Sequence, residues 1–214
     1  DAMAARDLGW MQFYCQNVQE VLDLTLLSYR VAEDERVLTP VMVCLDGFFL
    51  SHSMQKLDVP SQESVDDFVG PYKRHNTYLD PKDPMFCCDL TGNGEFTEMR
   101  YQQKYAMDNA LEVFEEIAGE FEERFGRKIN IVEFPVKQLK AVLTGKKVIG
   151  VFDRSAGLGS QGGPLWCETC ALMIDENSDI RHYVGGLGGR DVTAANLEKI
   201  YNELLEIIEG KRTE

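Results

Sequence analysis
The sequence predicts an α/β protein on three observations. Residues 40–52 (PVMVCLDGFFLSH) begin as an unbroken apolar run, then reach an acid, a glycine, an aromatic pair and a Ser-His edge. Continuous hydrophobicity over about four to eight residues marks a strand buried on both faces, which belongs in a parallel sheet covered by helices. Helical periodicity precedes this run from Asn17, and short strand and helix patterns alternate through residues 129–209. Alternation of that kind builds βαβ units.

Taken in order, Asn17 and Glu20 have capping-box spacing, and Val18, Val21, Leu22, Leu26 and Tyr29 recur at helical intervals. This helix feeds a strand at residues 41–45. Asp46, Ser51 and His52 then fall at the carboxyl end of that strand, the edge where open α/β sheets bind ligands. Residues 60–94 follow, with prolines at 60, 71, 81 and 84, many charges and one short helical candidate at residues 61–69. A loop this long is unusual inside a compact domain and reads as an arm crossing to another domain or chain. It carries Phe68, Tyr72, Tyr78, Met85 and Phe86, which is too much large apolar surface for a solvated linker. Tyr72 and Phe86 of the arm, with Asp46, Ser51 and His52 of the strand end, are therefore the candidate subunit-interface residues.

A long helix over residues 96–125 has an apolar stripe of Met107, Ala110, Leu111, Phe114, Ile117, Phe121 and Phe125. Glu112, Glu115, Glu116, Glu120, Glu122 and Glu123 read as its solvated face. Gly126 stops the helix, and Arg127 and Lys128 suit its negative end. Beyond it, residues 129–134 and 148–153 read as strands around a helix at 136–143. A helix at 164–173, a strand at 180–184 and a closing helix at 193–209 complete a second α/β unit.

Composition excludes several functions. At 214 residues with 44% hydrophobic content, the chain buries a real core in one or two domains. No apolar stretch approaches the roughly 18–20 residues of a membrane helix, and no signal-peptide pattern opens the chain. Asp1 in place of Met suits a chain that begins inside a larger protein. A net charge of −14 argues against binding nucleic acid, which needs clustered Lys and Arg. The six cysteines lack the dense spacing of a disulfide-stapled domain, so a reducing cytoplasm is expected.

Single motifs carry less. Cys167 and Cys170 form a CxxC preceded by Trp166, which fits a redox pair or half a zinc site. No second CxxC or suitable His pair completes a zinc set, and no proline follows Pro164, so buried helical cysteines are expected instead. Gly157, Gly159 and Gly162 fit GxGxxG between a strand and a helix, where backbone could approach a pyrophosphate. The glycines start beyond Asp153, and the next strand ends in glycines rather than a ribose-binding acid; those at 185–189 suit close backbone packing. Asp46, Ser51, Ser53 and His52 cannot form a triad if their segment is extended, because neighbouring side chains then point to opposite faces. His75 and His182 read as isolated surface or loop residues.

Several ordered motifs together say more. RDLGW at residues 6–10, QNVQE at 16–20, TPVMVCLDGFFLSH at 39–52 and LDP at 79–81 resemble the alpha subunit of 2-oxoacid:ferredoxin oxidoreductases, nearest to the pyruvate:ferredoxin oxidoreductase (pyruvate synthase) branch. FPVKQL at 134–139, VFDRS at 151–155 with its glycine loop, and GGLGGRDVT at 185–193 resemble that family's second domain in the same order. The resemblance implies part of a thiamine-diphosphate-type pyrimidine-binding domain followed by a transketolase C-terminal-like α/β domain. The implied division is residues 1–58 for the first, 59–94 for a connecting arm, and 95–214 for the long helix and the second domain.

The resemblance further implies a subunit that is inactive alone, within an enzyme that oxidatively decarboxylates a 2-oxoacid, pyruvate by its branch, to acetyl-CoA while reducing ferredoxin, or runs the reverse synthesis. Thiamine diphosphate, Mg2+ and [4Fe-4S] clusters would be held in the complex, with beta, gamma and ferredoxin-like delta subunits as partners and ferredoxin and coenzyme A as reactants. The family's cofactor-activating front, ahead of Asp1, and a strand–helix portion between Lys128 and Ile129 have no counterpart, so no catalytic, cofactor-binding or metal-binding residue is assigned. A non-catalytic α/β binding or assembly module derived from the family is the alternative.

Overall fold
Apolar side chains gather into two units, Asp1–Ile131 and Val132–Glu214. The computed structural model describes residues 2–73, 75, 78–85, 92, 94–129 and 136–211. Among the described residues each unit is built on a two-stranded parallel sheet, and parallel neighbours require a crossover, here a helix in both cases.

In the first unit a 3₁₀ turn, Ala2–Leu8, leads into β1 (Met11–Tyr14), then α1 (Val18–Glu33) and β2 (Val41–Cys44). The strands run in register from Met11 beside Val41 to Tyr14 beside Cys44. Asn17 caps α1 by accepting the Glu20 N–H at 2.9 Å, while Glu20 accepts the Gln16 N–H at 2.8 Å. The capping-box spacing therefore marks the true helix start.

The face of α1 differs from the sequence expectation. Leu24, Leu27 and Val31 are buried, whereas Tyr29 is exposed. Apolar residues surround this helix, so periodicity alone does not choose among faces. The strand also differs, because all four residues of β2 are half-buried rather than covered on both sides. Val41 and Val43 pack into the core, and the 3₁₀ turn lies against the neighbouring β1, where Gln12 donates to the Ala2 carbonyl and the Tyr14 hydroxyl to Met3 Sδ.

Next, α2 (Gln62–Val69) and α3 (Glu95–Phe125) close the unit. Phe68 of the expected arm is buried, with its ring edge-on to Phe121 at 5.4 Å and to Phe125 at 5.5 Å. The arm is thus anchored by α2 rather than free of the domain. The long helix, grouped by sequence with the second half, places Ala110, Val113, Phe114, Ile117, Ala118 and Phe121 in the first unit's core. Its acidic face is only partly solvated: Glu116 pairs with Arg36 at 2.7 Å and Glu120 with Arg30.

At the end of α3, Gly126 turns left-handed (φ 66°), donating its N–H to the Glu122 carbonyl as the sequence expects. Arg127 does not serve the helix end. Its Nε and Nη2 each donate to Asp23 at 2.8 Å, and its Nη1 donates to Asp58 at 2.8 Å. Asp23 is 2% exposed, and the guanidinium also lies over the Phe121 and Phe125 rings. A buried carboxylate is tolerable only when paired in this way.

The second unit holds α4 (Val136–Leu143), β3 (Val148–Asp153), α5 (Pro164–Leu172), β4 (Asp179–Val184) and α6 (Ala194–Ile208), with a short 3₁₀ turn at Leu187–Gly189. Strands β3 and β4 align from Val148 beside Asp179 to Asp153 beside Val184. Ile149, Val151 and Met173 form the core, while Leu204 of α6 meets the open backbone of Gly150 across the sheet. A reciprocal capping box between Thr193 and Asn196 starts α6. The strand expected at residues 129–134 falls almost wholly outside the described residues.

Arg127→Met should strand the Asp23 carboxylate and cost roughly 3–5 kcal/mol. Urea denaturation would measure it, with Lys104→Ala, from an exposed pair, expected within about 0.5 kcal/mol of the parent.

Candidate functional site
Where β1 and β2 end, the chain makes the edge on which parallel α/β sheets place ligands. Cys15 continues the pairing by donating its N–H to the Cys44 carbonyl at 2.9 Å. After exposed Leu45, residues 46–52 coil into a tight turn: the Leu50 N–H donates to the Asp46 carbonyl at 3.2 Å and the His52 N–H to the Phe48 carbonyl at 3.1 Å. Phe48 adopts a left-handed backbone (φ 69°), a conformation a large side chain takes only when its surroundings enforce it. Its N–H donates to Ser51 Oγ at 3.0 Å, and its ring stacks on His52 at 5.1 Å.

This turn overrides the expectation that Ser51 and His52 diverge. Ser51 Oγ lies 2.7 Å from His52 Nδ1, because the segment is coiled rather than extended. Asp46 is half-buried at the turn's start, and no carboxylate among the described residues pairs with His52, so the contact is a dyad without an orienting acid. Phe48 and Phe49, 71% and 59% exposed, are the prominent groups here, and the sequence reading did not single them out. The glycine beside an aromatic pair was their only signal in the sequence. Tyr72 is exposed beyond the end of α2, and Phe86 lies outside the described residues.

Beneath the turn Cys15 is buried, and burial first, then the charges of Glu20 and Cys44, push its thiol up to about 11. The segment leaving the turn is latched to α1: Gln19 Nε2 donates to the Asp58 carbonyl at 3.1 Å, and the Asp58 N–H donates to Gln19 Oε1 at 2.8 Å.

In the second unit the GxGxxG loop meets a helix N-terminus that is already filled. The buried Asp153 carboxylate accepts the Leu165 N–H at 3.2 Å and the Trp166 N–H at 3.0 Å. A pyrophosphate would have to displace that carboxylate, so dinucleotide binding finds no support here. The glycines answer to packing instead. A Cβ at Gly162 would lie 2.4 Å from Trp166 and one at Gly163 2.3 Å from Asp153 Cγ. His182, read from sequence as isolated, lies on β4 against Asp153, Gly163 and Trp166. Cys167 and Cys170 are free thiols on α5, half-buried rather than in the core, and burial raises the Cys170 thiol. Among the described residues no three His, Cys, Asp or Glu side chains converge to hold a metal, and no helix is long and apolar enough to cross a membrane.

Two βαβ-based units in tandem, with a strand-end turn presenting aromatic, hydroxyl and imidazole groups, define a two-unit α/β protein. The chain belongs to the pyruvate flavodoxin/ferredoxin oxidoreductase, thiamine diphosphate-binding family, whose description matches residues 1–119. Residues 127–197 match pyruvate:ferredoxin oxidoreductase core domain II. Pyruvate synthase subunit PorA of Pyrococcus horikoshii is 34% identical over 256 positions, covering 96% of this chain and 65% of its own length. The same subunit from Methanothermobacter thermautotrophicus is 35% identical, with 94% and 63% covered. The alpha subunit of NADH-dependent phenylglyoxylate dehydrogenase from Aromatoleum evansii is 33% identical, with 98% and 64% covered. The chain thus spans just under two thirds of the length of these relatives. An alignment of 256 positions exceeds the 214 residues of this chain, so the Pyrococcus subunit carries internal stretches without counterpart here.

Exposed Phe48, Phe49 and His52, with the Ser51 hydroxyl, can meet a polar aromatic ring. A diphosphate's cation would need convergent carboxylates, which the described residues do not bring together.

Gly163→Ala should lower stability by roughly 1–3 kcal/mol by driving a methyl into the Asp153 carboxylate, whereas Gly159→Ala, with open space at its Cβ, should stay within about 0.5 kcal/mol. Denaturant midpoints separate the two. For Cys15, the unfolded state releases the thiol proton near the ordinary value of 9.0 and the folded state near 11. Stability should therefore fall as pH rises from about 9 to 11, and Cys15→Ala should flatten that slope in urea titrations.

Proposed function
We propose that this chain is part of the alpha subunit of a cytoplasmic, multisubunit 2-oxoacid:ferredoxin oxidoreductase that converts pyruvate to acetyl-CoA with reduction of ferredoxin, or runs the reverse synthesis. The observation that carries this reading is the ordered match of both family descriptions along one chain, with relatives named pyruvate synthase subunits. The phenylglyoxylate dehydrogenase relative shares the 2-oxoacid head but not the substituent, so the motif similarity supports the chemistry more broadly than the substrate. The unpaired thiols at Cys15, Cys44, Cys167 and Cys170 agree with a reducing compartment.

In this reading beta, gamma and ferredoxin-like delta subunits complete the enzyme, with ferredoxin and coenzyme A as co-reactants. Thiamine diphosphate, when bound, supplies the electron sink that 2-oxoacid cleavage requires. Partner subunits hold its diphosphate with Mg2+, and they hold the [4Fe-4S] clusters. This chain's own contribution is positional. Phe48, Phe49, Ser51 and His52 line the contact at the strand end, with Asp46 at the base of the turn, and the exposed aromatic rings exclude water from it. The exposed ring of Tyr72, with Phe86, supplies a second contact between subunits.

Coexpression of the whole gene with its partner subunits tests the reading. Native mass spectrometry and pyruvate-dependent reduction of ferredoxin should show an active complex, while the purified chain alone turns over nothing. Phe48→Ser/Phe49→Ser should weaken assembly and turnover at least tenfold without changing the chain's melting temperature, because both rings are already in solvent; Tyr72→Ser/Phe86→Ser should act in the same direction. An inactive complete complex would favour the non-catalytic module, and turnover by the isolated chain would overturn the division of labour.

A further inference from the structure
One nitrogen in the second unit faces two incompatible partners. His182 Nε2 lies 3.1 Å from the Gly163 backbone nitrogen, a donor, and 3.3 Å from Asp153 Oδ2, an acceptor. An imidazole nitrogen either offers a lone pair or carries a proton, so it serves Gly163 in one state and Asp153 in the other. We propose that His182 is a proton-operated latch on the glycine loop, residues 157–163. In the neutral state Nε2 accepts the Gly163 N–H, which places the ring proton on Nδ1. When the ring gains a proton, Nε2–H donates to the Asp153 carboxylate and the Gly163 N–H loses its acceptor.

The surroundings make this a local device. From β3, Asp153 is the carboxylate facing the ring, and it stays committed to the Leu165 and Trp166 N–H groups in both states. From α5, the Trp166 ring lies 5.5 Å from the imidazole. The titratable groups of α5 are Cys167, whose Sγ turns to the Gly162 carbonyl, Glu168 and Cys170. On β4 itself, Arg181 and Tyr183 alternate to the opposite face, toward Asp179 and toward Glu203 of α6. His182 is partly covered, with 20% of its side chain accessible, so solvent protons reach it without unfolding. The bond to His182 is the one made by the Gly163 N–H among the described contacts, while the Gly163 carbonyl stays tied to α5 by accepting the Cys167 N–H at 3.0 Å. The rest of the loop is held by the Ser160 contacts to Gly157 and Gly162, which lie within it, and by the Cys167 Sγ contact to the Gly162 carbonyl.

Nuclear magnetic resonance of the ¹⁵N-labelled chain tests this. At high pH the imidazole nitrogen shifts should report a ring protonated on Nδ1. As the pH is lowered, the Gly163 amide protection factor should fall about tenfold in step with protonation of the His182 ring, followed in the same spectra. Trp166 and Leu165 amides should keep their protection. His182→Gln, which cannot titrate, should abolish the step. A neutral ring protonated on Nε2, Gly163 protection that ignores the His182 titration, or the same step in His182→Gln would each overturn the proposal; the first two need no variant.

Discussion
The carboxylate of Asp23 sits inside the first unit, and much of that unit is arranged to keep it paired. Burying it bare would cost several kcal/mol, more than most single contacts return. Arg127 supplies two parallel bonds to it, and it can do so because Gly126 turns left-handed and sends the chain back from the end of α3 toward α1. The same guanidinium reaches Asp58, while Gln19 clamps the Asp58 backbone on both its donor and its acceptor. The strand-end turn is consequently held at both sides, by β2 before it and by this latch after it. A buried ion pair thus anchors the segment that leaves the turn carrying Phe48, Ser51 and His52.

Around that pair, stability comes from packing and orientation comes from charge. Phe68, Phe121 and Phe125 form an edge-to-face cluster where α2 meets α3, and Phe13 meets Phe114 at 4.9 Å on the sheet side. The ion pairs of Arg30, Arg36 and Arg124 ring the same interface but are largely exposed, so solvent screens them and they add little to stability. Their arrangement shows why an acidic chain of net charge −14 still folds locally. The arginines stand where acidic α2 and α3 approach the α1 segment.

The second unit uses the opposite economy at its glycine loop. A helix N-terminus after a GxGxxG run looks open to an anion, yet β3 ends in Asp153 and brings its own anion to the same N–H groups. Glycines at 162 and 163 are then required by the close approach of Trp166 and Asp153, without any ligand. Identical spacing therefore serves self-capping here, and only the neighbouring strand end distinguishes this from phosphate binding.

Local rules were legible in the sequence: the Asn17 cap, the Gly126 stop, the long helix, the closing helix and the strand at Val148–Asp153 all follow from spacing and residue type within a few positions. The ordered motifs likewise carried the family, because they are short, contiguous and independent of packing. Short β1, which pairs with a strand thirty residues away, escaped notice, since four residues hold too little periodicity to stand out. The face of α1, the partners of Arg127, the meeting of Ser51 with His52 and the cluster around His182 were decided by tertiary structure alone. Each depends on which distant backbone arrives beside a side chain, and neither helical period nor local propensity contains that distance.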